Sequence, residues 1–135
     1  MPWDEVRAKF EPTTDSVAQA RLLMRPLRNE LPWDVAERLD LVVSELATNA
    51  VLHAATPFEV AVKVVPTVRV EVSDGSAEPP VRRHHDLAGS HGRGLLIVDR
   101  CAQRWGVDPL PSGKVVWADV GIFTRTGGAD LRGAR

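Results

Sequence analysis

Glu45, Asn49 and His53 fall in one stretch, Leu41–His53 (L-V-V-S-E-L-A-T-N-A-V-L-H), and their types and spacing suit chemistry. On a helix turning roughly 100° per residue they stand at i, i+4 and i+8, one above another. The same wheel gathers Val35, Leu39, Val42, Leu46 and Ala50 into an apolar stripe, with Glu37, Asp40, Ser44 and Thr48 opposite. The polar row starts at the border of that stripe and drifts into it, where each unpaired polar group costs roughly a few kcal/mol. An Asn amide oxygen is a hard, neutral ligand of the kind Mg²⁺ takes alongside water and phosphate oxygens. A Glu one turn earlier is placed to deprotonate an attacking hydroxyl.

Two further stretches carry ligand chemistry. In Val70-Glu-Val-Ser-Asp74-Gly75 an acid ends an apolar strand and a glycine follows at once, so a carboxylate sits where backbone can approach a ligand. Such a carboxylate accepts well from an exocyclic amine like that of adenine. In Gly89-Ser-His-Gly92-Arg-Gly94-Leu95 a glycine-rich run leads into a helix, and a helix N-terminus offers unpaired N–H groups to phosphate. Arg82, Arg83 and Arg93 could add positive charge there. The run matches neither the dinucleotide-binding nor the P-loop glycine pattern. Taken singly, the three stretches also read as a solvated helix edge, a strand-end turn and a linker.

The flanking elements must position these groups. Val6, Ala8 and Phe10 alternate with Glu5, Arg7 and Lys9, which predicts a strand over 5–11 closed by Pro12. Thr13, Thr14 or Asp15 can cap a helix carrying Val17, Ala20, Leu23, Met24 and Leu27, with a kink at Pro26. Asp34-Val-Ala-Glu37 resembles a capping box opening the central helix, expected to run to about Ala54. A hairpin follows, with Phe58, Val60, Val62 and Val64, then Val68, Val70 and Val72, on one face. Residues 76–94 read as a long loop, of the kind that often forms a lid. A second helix is expected over Leu95–Gln103 with Leu96 and Ile97 in the core, then a last hairpin of Trp105–Asp108 and Lys114–Ile122. Val116, Ala118, Val120 and Ile122 give its second strand a buried face. The order predicts an α+β sandwich, helices on one face of a mixed, mainly antiparallel sheet.

The chain has 135 residues, enough for one domain and too few for two. With 17 Lys and Arg against 18 Asp and Glu it lacks the basic footprint of a nucleic-acid binder. Cys101 is the single cysteine, which excludes an internal disulfide and fits a reducing compartment. The N-terminus is too charged for a signal peptide and no apolar run is long enough to span a bilayer, so no membrane association is expected and the reading is cytoplasmic. His84, His85, His91 and Cys101 match no common zinc spacing. We expect a domain over 1–123 and a flexible tail over 124–135.

Together and in this order, E-L-A-T-N-A-V-L-H (45–53), S-D-G-S (73–76) and G-R-G-L (92–95) resemble the N box, G1 box and G2 box of the GHKL (Bergerat-fold) ATPases. The resemblance runs from about Glu5 to Ile122 and is strongest to the short stand-alone anti-sigma-factor serine kinases and related ATP-binding regulators of bacteria. It implies a two-layer α/β sandwich holding ATP between the central helix and a lid. Carried over, Asn49 binds Mg²⁺, Glu45 is the base and Asp74 holds the adenine amine beside Gly75 and Ser76. Gly92, Arg93, Gly94 and Leu95, with Arg82, surround the phosphates, and His53 closes the N box. The implied partners are a sigma factor and an antagonist protein phosphorylated on serine, with no direct contact to nucleic acid; a homodimer is compatible. The other readings are an ATP-binding regulator without kinase activity, which gates a partner through its lid, and a binding module that has lost nucleotide. Three positions depart from the family pattern: Ser76 and Glu78 replace glycines of the G1 box, and Val115 stands where a supporting Thr is expected.

Overall fold

A computed structural model describes residues 5–78 and 90–122, with backbone alone at 65 and at 90–94. Arg82, the Arg93 side chain and the expected tail at 124–135 lie outside the described residues. The elements in order are β1 (Glu5–Phe10), α1 (Asp15–Leu23), α2 (Arg25–Arg28), α3 (Trp33–Asn49), a π turn (Ala50–Ala54), β2 (Phe58–Val65), β3 (Thr67–Asp74), α4 (Ser90–Cys101), β4 (Arg104–Leu110) and β5 (Gly113–Val120). The strands form one sheet in the order β1-β2-β3-β5-β4. Every pairing among them is antiparallel, so the parallel component allowed by the sequence reading is not seen in the described residues.

The two layers follow from two periodicities. In β3 every second residue is buried, so Val68, Val70 and Val72 face the helices, and Val116, Ala118 and Val120 of β5 lie opposite them. Against this row α3 sets Val35, Leu39, Val42, Val43 and Leu46, each 2 % exposed or less. Met24, Leu27 and Val98 complete the core from the other helices. Burying each such side chain contributes about 1.5–3 kcal/mol. The opposite sheet face is a lattice of charge: Arg7 pairs with Glu59 at 2.6 Å, Lys63 with Glu71 at 3.1 Å, and Arg69 and Arg104 both with Asp119. Burial by itself raises the Asp119 pKa, but the two guanidiniums outweigh it and hold the carboxyl below its ordinary value. Arg69 also lies over the Trp117 ring at 4.3 Å.

Several expected details differ. Pro32, not Asp34, occupies the cap position of α3; Asp34 lies inside the first turn and pairs with Arg38 at 3.4 Å. Proline sets the extended backbone that enters the helix, and the acid favours the positive end of the dipole from within. Thr14 stands at the cap of α1 without a side-chain capping bond, and Pro26 does separate α1 from α2. Asp40, placed on the wet side by the wheel, pairs with Arg28 at 3.0 Å. Among the described side chains of α4 the buried ones are Leu95 and Val98, while Leu96 is 49 % exposed and Ile97 only half-buried. The run Leu95-Leu96-Ile97-Val98 is apolar throughout, so its own pattern could not choose the phase. No described helix is long and apolar enough to cross a membrane.

Gly113 fixes the end of the sheet at which the candidate site lies. Its φ is +153°, and a Cβ there would stand 1.9 Å from the Asp74 carbonyl oxygen. Gly113→Ala is expected to destabilise the fold by about 2–4 kcal/mol, through backbone strain and overpacking, read as a lower denaturant midpoint at unchanged slope.

Candidate functional site

The central helix does not end as a plain α-helix. From Ala50 it widens into a π turn, with the Ala55 N–H bonding the Ala50 carbonyl at 3.1 Å, and Ala55 reverses the chain at φ 55°. Isolated π turns concentrate at functional sites. The wider turn takes His53 off the straight row that a continuous α-helix predicts, leaving Glu45 and Asn49 one above the other on α3. His53 is half-buried.

Beyond the reversal, the Gly75 N–H donates to Thr56 Oγ1 at 2.9 Å, latching the end of the central helix to the end of β3. The π turn also packs on β3. This brings the Glu45–Asn49 end of one element and the Asp74–Gly75 end of another to the same side of the fold. Thr56 has no signature in the sequence pattern, since Thr-Pro reads simply as a break.

Asn49 is 7 % exposed, and its Nδ2 is buried with no hydrogen-bond partner among the described residues. A buried amide left unsatisfied costs about 1–3 kcal/mol, so nothing in folding favours it there. Glu45, one turn earlier and half-buried, has its pKa raised, because burial disfavours the charged carboxylate. Asp74 continues the inward row of β3 and is 8 % exposed. Its Oδ1 accepts from the Ser76 N–H at 2.9 Å and from Lys114 Nζ at 3.0 Å. Its Oδ2 carries no hydrogen bond to a described residue.

Lys114 is the residue the sequence reading missed. It pairs directly across from Asp74 in the β3–β5 ladder, on the same inward face, and is 5 % exposed. Its Nζ also donates to the Ser76 carbonyl at 3.2 Å. Val115, read as standing where a supporting Thr is expected, pairs with Ser73, one residue along from the acid and on the other face of the sheet. A signal was present: Lys114 stands in period two with Val116, Ala118 and Val120, an ammonium in an apolar row.

Ser76 keeps a negative φ, so the glycine missing from that position is not needed for backbone geometry. Its Oγ accepts from the Glu78 N–H at 3.1 Å, and Glu78 is exposed. Gly92 and Gly94 belong to the opening turns of α4, which starts at Ser90, not in a loop before a helix at Leu95; Leu95 itself is buried. Arg38 Nη1 donates to the Cys101 carbonyl at 3.4 Å, tying the last residue of α4 to the half of α3 away from Asn49. The described residues contain no cluster of three or more His, Cys, Asp or Glu able to hold a metal unaided. A lone Asn oxygen fits only an ion that keeps water and phosphate as its other ligands, as Mg²⁺ does.

The model of the histidine kinase-like ATPase domain family matches residues 10–119. Among solved structures, the chain is similar to the RsbU and RsbW domains of Rv1364c from Mycobacterium tuberculosis, at 14 % identity and a TM-score of 0.69. That likeness covers 90 % of this chain but 33 % of the other, and shows a common fold. No curated protein matches the chain in sequence.

An orphaned amide and a satisfied ion pair respond differently to truncation. Asn49→Ala is expected to unfold at or above the wild-type temperature, because an unsatisfied group leaves and helix propensity improves. Lys114→Met strands a buried carboxylate and is expected to cost about 3–5 kcal/mol. Calorimetric unfolding of the two variants checks both signs.

Proposed function

The chain belongs to the histidine kinase-like ATPase domain family, and on that footing we propose that it is an ATP-binding regulatory protein with serine kinase activity, an anti-sigma factor that phosphorylates a small antagonist protein. The observation that carries this reading is the buried, unpartnered Nδ2 of Asn49 one helical turn from the half-buried carboxyl of Glu45. Folding alone has no use for either group in that setting. A metal-bound nucleotide has a use for both, since Nδ2 can donate to a phosphate oxygen while the amide oxygen faces the ion.

In this reading Asp74 accepts the exocyclic amine of adenine on its open Oδ2, and Gly75 leaves room at the strand end. Asn49 offers its amide oxygen to Mg²⁺, which when bound neutralises charge on the phosphates. The opening turns of α4, with Gly92 and Gly94, present backbone N–H groups to the same phosphates. Arg82 and Arg93 would add charge, and His53 and Leu95 line the edges. Glu45 takes the proton of the acceptor serine hydroxyl as that oxygen attacks. The partners are a sigma factor and its antagonist, working in a cytoplasmic switch, and a homodimer is compatible with them. Support for this narrower assignment comes from the three sequence boxes in order and from fold likeness to a chain that carries an RsbW domain.

A regulator that binds ATP without transferring phosphate is the second reading. Glu45→Ala separates the two. A kinase loses transfer of labelled γ-phosphate by about 10²–10⁴-fold while its ATP affinity stays within a fewfold of wild type. Unchanged transfer would remove Glu45 from the base role, and no transfer by wild type would leave the regulator.

Acidity supplies a second check. Burial raises the Glu45 pKa, so on acidification the active carboxylate is lost earlier than on an exposed Glu. Transfer is expected to fall as pH drops through a midpoint above the ordinary Glu range, and that limb should vanish in Glu45→Gln. A pH–rate profile at saturating ATP reads it.

A further inference from the structure

The inward row of β5 is Val116, Ala118 and Val120 until it reaches Lys114, whose ammonium meets Asp74 at 3.0 Å with both residues under one-tenth exposed. A buried ion pair adds little over apolar side chains of the same size, so packing gives no reason for a cation there. Of the three protons on the ammonium, two are directed to Asp74 Oδ1 and the Ser76 carbonyl, which leaves one. The backbone donors nearby are taken, with the Gly75 N–H on Thr56 Oγ1, the Ser76 N–H on Asp74 Oδ1 and the Glu78 N–H on Ser76 Oγ. Among the described residues of this strand end, Lys114 is thus the donor left beside the open Asp74 Oδ2.

We infer that the remaining Lys114 N–H donates to ring nitrogen N1 of the base whose amine Asp74 accepts, and that this contact confines the pocket to 6-aminopurines. The inference rests on the nucleotide reading above. Along the edge of adenine the 6-amine donor is followed by the acceptor N1, which meets the acceptor Oδ2 and the donor Nζ in the same order. That order is fixed, because Nζ is held between Asp74 Oδ1 and the Ser76 carbonyl. Guanine reverses it, so O6 would face the carboxylate and N1–H the ammonium. Slid by one position, guanine gives N1–H to Asp74 but sets its 2-amine against Lys114, donor against donor. A carboxylate alone would accept that shifted base, since it asks only for a donor. The ammonium rejects it, because a buried donor is then left unpaired.

Magnesium-containing titrations of ATP, 1-deaza-ATP and GTP into wild type, Lys114→Thr and Lys114→Met test this, with thermal unfolding of each variant as the folding control. The 1-deaza base keeps the 6-amine and replaces N1 with C–H. Wild type is expected to bind it at least about tenfold more weakly than ATP, the value of one hydrogen bond from a charged donor. It is expected to prefer ATP to GTP by about a hundredfold or more. Both ratios should fall by about tenfold in a folded variant. A wild type that binds ATP and loses less than about tenfold with 1-deaza-ATP overturns the inference and leaves the nucleotide site standing. So do ratios unchanged in a folded variant. If wild type binds none of the three, the nucleotide reading itself has failed and this inference with it. The wild-type loss on 1-deaza-ATP decides the matter even if both variants fail to fold.

Discussion

The candidate site depends on one helix packing against one row of valines. Residues 68, 70 and 72 of β3 and 116 and 120 of β5 are the surface on which Val35, Leu39, Val42 and Leu46 of α3 rest. Strand side chains alternate strictly, so the row that builds the core continues outward to Asp74 and Lys114 with the same orientation. The polar groups at the sheet end thus face the helix layer because the valines do. The same contact holds α3 so that Asn49 stays buried after the apolar stripe has run its length.

Three smaller constraints refine that placement. Gly113 allows β5 to approach the Asp74 backbone closer than any side chain permits. The Thr56–Gly75 bond ties the exit of the π turn to the strand end. The Arg69–Asp119–Arg104 cluster anchors the other face of β3, β4 and β5. Each is local, and each acts on the relative position of Asn49 and Asp74 without touching either side chain's open atoms.

Much of this was legible in the sequence where a period was long and clean. The 3.6-residue stripe of the central helix and the twofold alternation of β2, β3 and β5 were enough for the two layers, the two hairpins and the place of Asp74 at the end of a buried strand. The row Glu45–Asn49 emerged from its misfit with the apolar stripe. What stayed hidden has physical reasons. The π turn has no compositional mark, so His53 was assigned to a row it leaves. Glycine disfavours helix interiors, so Gly92 and Gly94 read as loop although α4 already contains them. A lysine at a strand start reads as solvated, so Lys114 drew no attention, although it is the residue opposite Asp74. Asp34 looked like a cap because a proline-set entry makes no side-chain bond for a pattern to reveal.

The central claim is that Asn49 and Asp74 are two ends of a single magnesium–nucleotide site. Calorimetric titration of ATP into the purified protein, with Mg²⁺ and then with the metal chelated, tests it most directly when Asn49→Ala and Asp74→Asn are run beside wild type. The account predicts binding that weakens when magnesium is removed, loses its magnesium dependence in Asn49→Ala, and is lost in Asp74→Asn. Binding indifferent to magnesium and to both substitutions, or no binding by a folded wild type, would contradict it.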